Sequence, residues 1–419
     1  LYIEVRKKDY MQYNLKQLAN GIRIVHQEVN HTRIVHCGFV LNIGSRDESK
    51  EKEGIAHFWE HMAFKGTKKR KAYHIINRLE SLGGELNAYT TKEKICFYSS
   101  VLKEHYGKAA ELLFDITFNS TFPKKQIEKE RQVILEEMAM YKDSPDDSLQ
   151  DDFDEMVFEG HALGRNILGN EETVSRFRQE DFFDFVSSRL DTTQIVFSVI
   201  GNISFEKALQ KIEGLLSEIP HKRSLYVRSG FSNYQPKTKM VMKEITQAHC
   251  AIGKPAFSMY DPRRFKLYLL NNILGGPSMN SRLNMALREK HGYVYSVESH
   301  YQTYSDTGFF GVFFGTEQKT ANKAKKLVLK EMEKLRKVKM GTLQLHMAKE
   351  QAIGQMAMAE ENYAALMLVY GKNLLDKGKI DSLDSIFEII RGTTAEELMD
   401  IANEIFDPNQ MSYLTYLPS

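Results

Sequence analysis

Apolar and polar residues alternate over residues 33–43, which puts Val35, Cys37, Phe39, Leu41 and Ile43 on one side of a predicted strand. The same alternation returns over 91–101 and aligns Ile95, Phe97, Ser99 and Val101. Between these two segments the period lengthens. Residues 54–64 and 72–82 read as helices, and the second ends on Gly83-Gly84, a pair suited to a helix C-cap. Helices are also predicted over about 105–118 and 124–141, and a strand over 194–200 turns Ile195, Phe197 and Val199 to one face. Strands with one apolar face, separated by helices, predict an α+β layer structure.

The character of the chain changes over 217–239, which is polar and holds Pro220 and Pro236. This stretch is the predicted linker. Beyond it the alternation returns at 248–253, followed by a helix over 262–273, a Gly- and Phe-rich strand over 308–316, and long helices over 318–336 and 341–360. The expected organisation is a first domain over 1–216, a linker over 217–239 and a second α+β domain over 240–419. The halves share element order without a strong residue-level repeat, so an internal duplication is expected in architecture.

With 419 residues the chain can bury two cores, and 42% hydrophobic with 27% charged residues is a globular balance. A net charge of +2 gives no reason to expect nucleic acid or an anionic membrane as partner. The basic run Lys65-Gly-Thr-Lys-Lys-Arg70 reads as a solvated helix-to-loop surface, and the acidic pairs Asp146-Asp147 and Asp151-Asp152 as solvated loops. Cys37, Cys96 and Cys250 lie too far apart for a disulfide framework or a zinc-finger pattern, and Cys37 and Cys96 read as buried thiols. No run of eighteen apolar residues and no secretory pattern at the start is present, so the expected location is cytoplasmic, with no membrane partner.

The sharpest chemical signal is His57-Phe-Trp-Glu60-His61. On a helix, positions 57 and 61 lie one turn apart on one face and position 60 shares it. Two imidazoles so placed can grip one zinc ion, and a carboxylate beside them can take a proton from an attacking water. With 13 histidines in the chain, chance would yield roughly 0.03 such matches. Phe58, Trp59, Met62 and Phe64 surround these groups with apolar mass, which makes the polar face costly unless its groups have partners. A catalytic zinc takes a third protein ligand. On the helix over 124–141, Glu130, Ile134, Glu137 and Tyr141 stack on one side, while Glu136 points about 100° away. Spacing alone leaves Glu130 and Glu137 as equal candidates, one to bind metal and the other to hold a histidine's second nitrogen.

The stretch from His57 to Thr67, His-Phe-Trp-Glu-His-Met-Ala-Phe-Lys-Gly-Thr, resembles the signature of the insulinase/pitrilysin family of zinc metallopeptidases. Within that family the chain is most similar to the mitochondrial processing peptidase β subunit and its bacterial relatives. The resemblance implies a third ligand 76 residues past the second histidine, which here is Glu137, and a supporting glutamate seven residues earlier, which is Glu130. Leu18-Ala-Asn-Gly-Ile-Arg-Ile24 resembles the family's opening strand. Gly83-Gly-Glu-Leu-Asn87-Ala88-Tyr-Thr90 resembles the edge strand on which substrate is laid, so Asn87, Ala88 and Thr90 are implied in main-chain recognition. His161 to Gly169 is similar to a loop that usually reads His-Pro, where this chain has Ala162. The segment 275–295 resembles the second-half signature, which implies Arg288 and Tyr295 as groups that assist at the active site.

What the resemblance implies is one Zn2+ per chain, Glu60 as general base, and hydrolysis of short or unfolded peptides. The implied fold is two homologous units, each an antiparallel sheet packed with helices, forming half of a clam-shell chamber. In members of this length the shell closes by dimerisation, so a homodimer with Arg288 and Tyr295 acting in trans is expected. The competing functions are a processing peptidase that removes one leader or targeting segment, and a non-catalytic scaffold subunit.

Overall fold

The computed structural model describes residues 2–4 and 13–419. Among the described residues there are twelve strands: β1 Tyr2–Glu4, β2 Asn14–Gln17, β3 Arg23–Glu28, β4 Ile34–Leu41, β5 Glu85–Thr90, β6 Ile95–Leu102, β7 Ile195–Gly201, β8 Thr238–Lys243, β9 Ala248–Ala256, β10 Val294–Thr303, β11 Gly308–Thr316 and β12 Ser412–Pro418. They form a seven-stranded sheet, β1-β2-β3-β7-β4-β6-β5, and a five-stranded sheet, β10-β11-β9-β12-β8. The fold is α+β, as the alternation predicts. Each sheet is antiparallel except for one pair, β3 with β7 and β8 with β12.

The two sheets repeat one topology. Taking β3–β7 and β8–β12 as two sets of five, each runs first, last, second, fourth, third across the sheet. The internal duplication expected from element order is therefore present in strand connection. The segment 18–24 differs from its expected form. Leu18 and Ile22 close a turn, with Gly21 at φ 94°, and only Arg23 and Ile24 enter β3.

The chain divides into two compact units whose segments interleave. The first takes the described residues up to Met138, then Arg165–Arg228 and Met358–Ser382; the second takes Ala139–Gly164, Ser229–Ala357 and Leu383–Ser419. This differs from the single boundary expected over 217–239. That stretch runs without regular structure between the helix Phe205–Ser217 and β8, yet its first part is tied to the first unit. Arg228 clasps the carboxylate of Asp47 through two hydrogen bonds of 2.7 and 2.8 Å.

Exchange of helices explains the interleaving. The helix Tyr363–Lys377 lies on β7 and β4 of the first unit: Ser198 Oγ donates to the Met367 carbonyl at 2.7 Å, and a Cβ at Gly371 would meet Val40 Cγ2 at 2.5 Å. The helix Pro145–Val157 belongs to the second unit and buries Leu149 and Phe153 against Phe309 and Tyr416. It contains the acidic pairs read as solvated loops. Proline at its start and Asp146 and Asp147 in its first turn are what a helix N-terminus favours.

In the first unit, Phe39 packs on Phe197 with centroids 4.7 Å apart, and its cross-strand neighbour Phe97 meets Trp59 of the helix Ile55–Ala63 at 6.0 Å. Cys37, Cys96 and Cys250 are free and buried, as two of them were expected to be. Gly54, which opens that helix, holds φ 92°, and a Cβ there would meet the Leu168 carbonyl oxygen at 2.4 Å. Gly54→Ala is therefore expected to cost about 2 kcal/mol or more. Gly214→Ala, in the open face of the helix Phe205–Ser217, is expected to stabilise by about 0.5–1 kcal/mol. Urea midpoints of the two variants should move in opposite directions.

Candidate metal centre

The helix Ile55–Ala63 has no capping side chain of its own, because its N-cap is Gly54. The first N–H groups of a helix need outside acceptors. Glu48 supplies them, accepting from the Gly54 N–H at 2.9 Å and the Ala56 N–H at 2.8 Å. Burial pushes the Glu48 carboxyl well above its ordinary value, while these two bonds act against that rise. Phe58, Trp59 and Met62 are fully buried, with Phe58 edge-on to Phe182 at 5.1 Å and Trp59 near Phe97 at 6.0 Å. This packing fixes the rotation of the helix, so His57, Glu60 and His61 share the remaining face.

Nε2 of His57 lies 3.8 Å from Oε2 of Glu137, and Nε2 of His61 lies 3.6 Å from the same oxygen. The three donor atoms all lie within 4.8 Å of one another. Glu137 projects from the helix Lys124–Asp143, and Glu130, two turns earlier on that helix, meets the other side of His61. His61 Nδ1 is 3.3 Å from Glu130 Oε2, and Lys65 Nζ is 2.7 Å from Glu130 Oε1. Burial pushes the Glu130 carboxyl up, but the His61 and Lys65 contacts outweigh it and hold it below its ordinary value. With Nδ1–H donated to Glu130, His61 keeps the lone pair of Nε2 for a cation. The two glutamates that spacing leaves equivalent thus face different nitrogens, and Glu136 is exposed outside the cluster.

The donor set fits zinc. Burial, reinforced by the neighbouring His61, pulls the His57 pKa down to about 3, so its imidazole is neutral near pH 7. Its Nδ1 is buried without a hydrogen-bond partner. Two imidazole nitrogens and one carboxylate oxygen form a three-ligand set of the catalytic zinc type, unlike the all-oxygen sets of calcium and magnesium.

Glu60 stands beside these ligands, and its Oε2 accepts from Thr90 Oγ1 at 2.6 Å. Burial raises the Glu60 carboxyl above its ordinary value, against the Thr90 bond and His61. Thr90 ends β5, the terminal strand of its sheet, which among the described residues pairs only with β6. Asn87 faces Tyr98 and Ala88 faces Phe97 in that pairing, so the other edge of β5 keeps its main-chain groups for another strand. Arg288 and Tyr295 lie in the second unit, each at a local irregularity. Arg288 is in the π-helix Asn284–Glu289, and Tyr295 falls where the β10–β11 register shifts between Val294 and Val297. The Arg288 guanidinium is 5.8 Å from the Tyr295 ring centroid, and Tyr295 is 89% exposed. Such irregularities re-aim side chains and recur at functional positions.

Three groups of the site are not evident from the sequence: Glu48, Lys65 and the hydroxyl of Thr90. The missing cap before the helix at Gly54 is a signal for the first. For Lys65 the basic run misleads, since Lys65 holds Glu130 and Arg70 holds Asp115 at 2.6 Å and Glu111 at 2.7 Å. The two ends of that run are thus held in ion pairs, while Lys68 and Lys69 between them are exposed, as a solvated surface requires.

Sequence profiles match the described families Insulinase (Peptidase family M16) over residues 23–171 and Peptidase M16 inactive domain over residues 176–352. The chain is 34% identical over 389 residues to the uncharacterized zinc protease YmxG of Bacillus subtilis, covering 92% of this chain and 94% of the relative. It is also 34% identical over 397 residues to an uncharacterized zinc protease of Rickettsia felis, covering 94% and 95%. A protease from Helicobacter pylori superposes with a TM-score of 0.92 at 21% identity over 97% of this chain and 99% of that one. A peptidase M16 inactive domain from Pseudomonas fluorescens does so with 0.89 at 17% identity, over 98% and 99%.

Chelator-competition titration of zinc tests the donor set. Glu137→Gln is expected to abolish tight binding, Glu130→Gln to weaken it about 10–100-fold, and Glu136→Gln to leave it unchanged.

Proposed function

The chain belongs to the insulinase family of peptidases, M16, and from that premise we propose that it is a zinc metalloendopeptidase acting on short or unfolded peptides. The observation that carries this is the convergence of His57, His61 and Glu137 donor atoms within 4.8 Å, with the Glu60 carboxylate on the same helix face. His57, His61 and Glu137 would hold one zinc per chain. When bound, zinc supplies Lewis-acid chemistry, polarising a scissile carbonyl and acidifying water.

Glu60 then serves as general base, taking a proton from the attacking water and returning it to the leaving amine. Its raised pKa suits both halves of that cycle, and the Thr90 hydroxyl fixes where the carboxylate points. The free edge of β5 takes an extended peptide as an added strand, reading main chain at Asn87, Ala88 and Thr90 before side chains. An extended peptide is what a short or unfolded substrate offers and a folded protein does not. Arg288 offers a planar fork of donors for a substrate carbonyl, and Tyr295 offers a phenol for the developing oxyanion. We assign these two to the partner subunit of a homodimer; the exposure of Tyr295 supports a role toward another molecule.

Cleavage of a mixed unfolded-peptide library, read by mass spectrometry with and without chelator, tests the assignment. Chelator-sensitive cutting is expected, lowered about 10²–10⁴-fold in Glu60→Gln with zinc retained. Scattered cuts identify a degrader of peptides and a single cut a processing peptidase, while no cutting by zinc-loaded wild type contradicts the proposal. In the same assay Thr90→Val, which keeps shape but loses the hydroxyl, is expected to lower kcat about tenfold, and Thr90→Ser to restore it.

A further inference from the structure

The second unit contains a cavity of about 990 Å³, bordered by the helices Ala321–Lys337 and Thr342–Glu360 and by residues 280–290. None of the metal-site residues lines it. A volume of this order accepts a few residues of peptide. Met285, Met347 and Val338 make part of its lining apolar, and methionine adapts its shape to varied side chains.

Its charged lining is unevenly paired. Glu331 holds Lys334 at 2.5 Å, Glu289 lies 3.6 Å from Arg288, and Lys339 pairs with Glu396. Arg282 and Lys290 also line the cavity, and among the described residues no hydrogen bond or ion pair engages either side chain. Arg282 is half-buried; burial pulls its pKa down, with Glu331 acting against it through space. A guanidinium stays charged regardless and carries five donors. Here those donors have no protein acceptor. Beside it, Ser281 Oγ is buried without a partner, and Asn272 is only 7% exposed. A planar fork of donors and a nearby ammonium, set against methionine and valine, is complementary to a carboxylate with aliphatic groups next to it.

We propose that this cavity is a peptide-binding site, in which Arg282 and Lys290 take a carboxylate and Met285, Met347 and Val338 take the aliphatic side chains beside it. The choice of a peptide as ligand rests on the peptidase reading; the carboxylate chemistry rests on the cavity alone. A carboxylate of this kind comes from a C-terminus or from an internal Asp or Glu side chain.

Fluorescence polarisation on the full chain, in excess chelator so that nothing is cleaved, tests the site. The probes are N-terminally labelled Ala-Leu-Leu-Leu as free acid and as amide, and Ala-Leu-Glu-Leu-Ala-amide beside its Gln counterpart. At least one carboxylate probe is expected to bind about tenfold tighter than its neutral counterpart, and whichever does so identifies the source. Arg282→Gln is expected to erase that preference. Lys290→Glu, a change at an exposed position with little folding risk, is expected to remove or reverse it. Equal binding of charged and neutral probes, or a preference that survives Lys290→Glu, overturns the proposal. Because the experiment needs no turnover, its failure leaves the peptidase assignment standing, and loss of library cleavage leaves the cavity result standing.

Discussion

His57 is 7% exposed on a helix whose other face is locked into the aromatic core, and its Nδ1 has no hydrogen-bond partner. A neutral imidazole in that position is costly unless its other nitrogen meets something that compensates for lost water. The groups it meets are another imidazole and a carboxylate, and neither is a hydrogen-bond donor suited to all three. A cation satisfies them together. The rest of the local structure serves this arrangement: Glu48 holds the helix start, Phe58 and Trp59 set its rotation, and Lys65 holds Glu130 against His61. Removing Lys65 leaves the Glu130 carboxylate, whose side chain is 9% exposed, without its cation, the situation in which buried ion pairs matter most.

The repeated strand order gives the two units different uses of the same slot. Between the second and third strands of its set, the first unit places the helix Ile55–Ala63 with the metal donors. Between the corresponding strands, the second unit places the helix Arg264–Gly275 and the π-helix that carries Arg288 and borders the cavity. The β-hairpin that follows is regular in the first unit, where it presents an edge, and irregular in the second, where Tyr295 leaves the ladder. One topology thus yields a metal-binding face in one unit and a donor-rich face in the other.

Much of this is local and hence legible in the sequence. The spacing of His57, Glu60 and His61 needs only a helix, and the alternation at β4, β6 and β11 needs only one buried face. The strands β4 and β6 begin and end within a few residues of their predicted bounds. What sequence does not carry is partnership. The parallel pairing of β3 with β7 joins residues far apart in the chain, and nothing in the Tyr363–Lys377 segment states which sheet it covers. The helix Pro145–Val157 is hard to read from sequence because its acids outnumber its apolar residues, although Leu149, Phe153 and Val157 recur at helical spacing. The role of Lys65 is hidden for a related reason: a basic run looks solvated until the carboxylate of another helix is brought to it. Spacing left Glu130 and Glu137 equivalent because both lie on one face, and they differ only in which nitrogens of His57 and His61 they meet.

The most direct measurement of the central claim is zinc K-edge X-ray absorption on the chain loaded with one equivalent of zinc. The structure predicts a first shell of two imidazole nitrogens and one carboxylate oxygen from the protein at about 2.0–2.2 Å, with the imidazole scattering halved in His61→Ala. A sulfur shell near ~2.3 Å, or an oxygen-only shell indifferent to that substitution, would contradict a metal centre built on His57, His61 and Glu137.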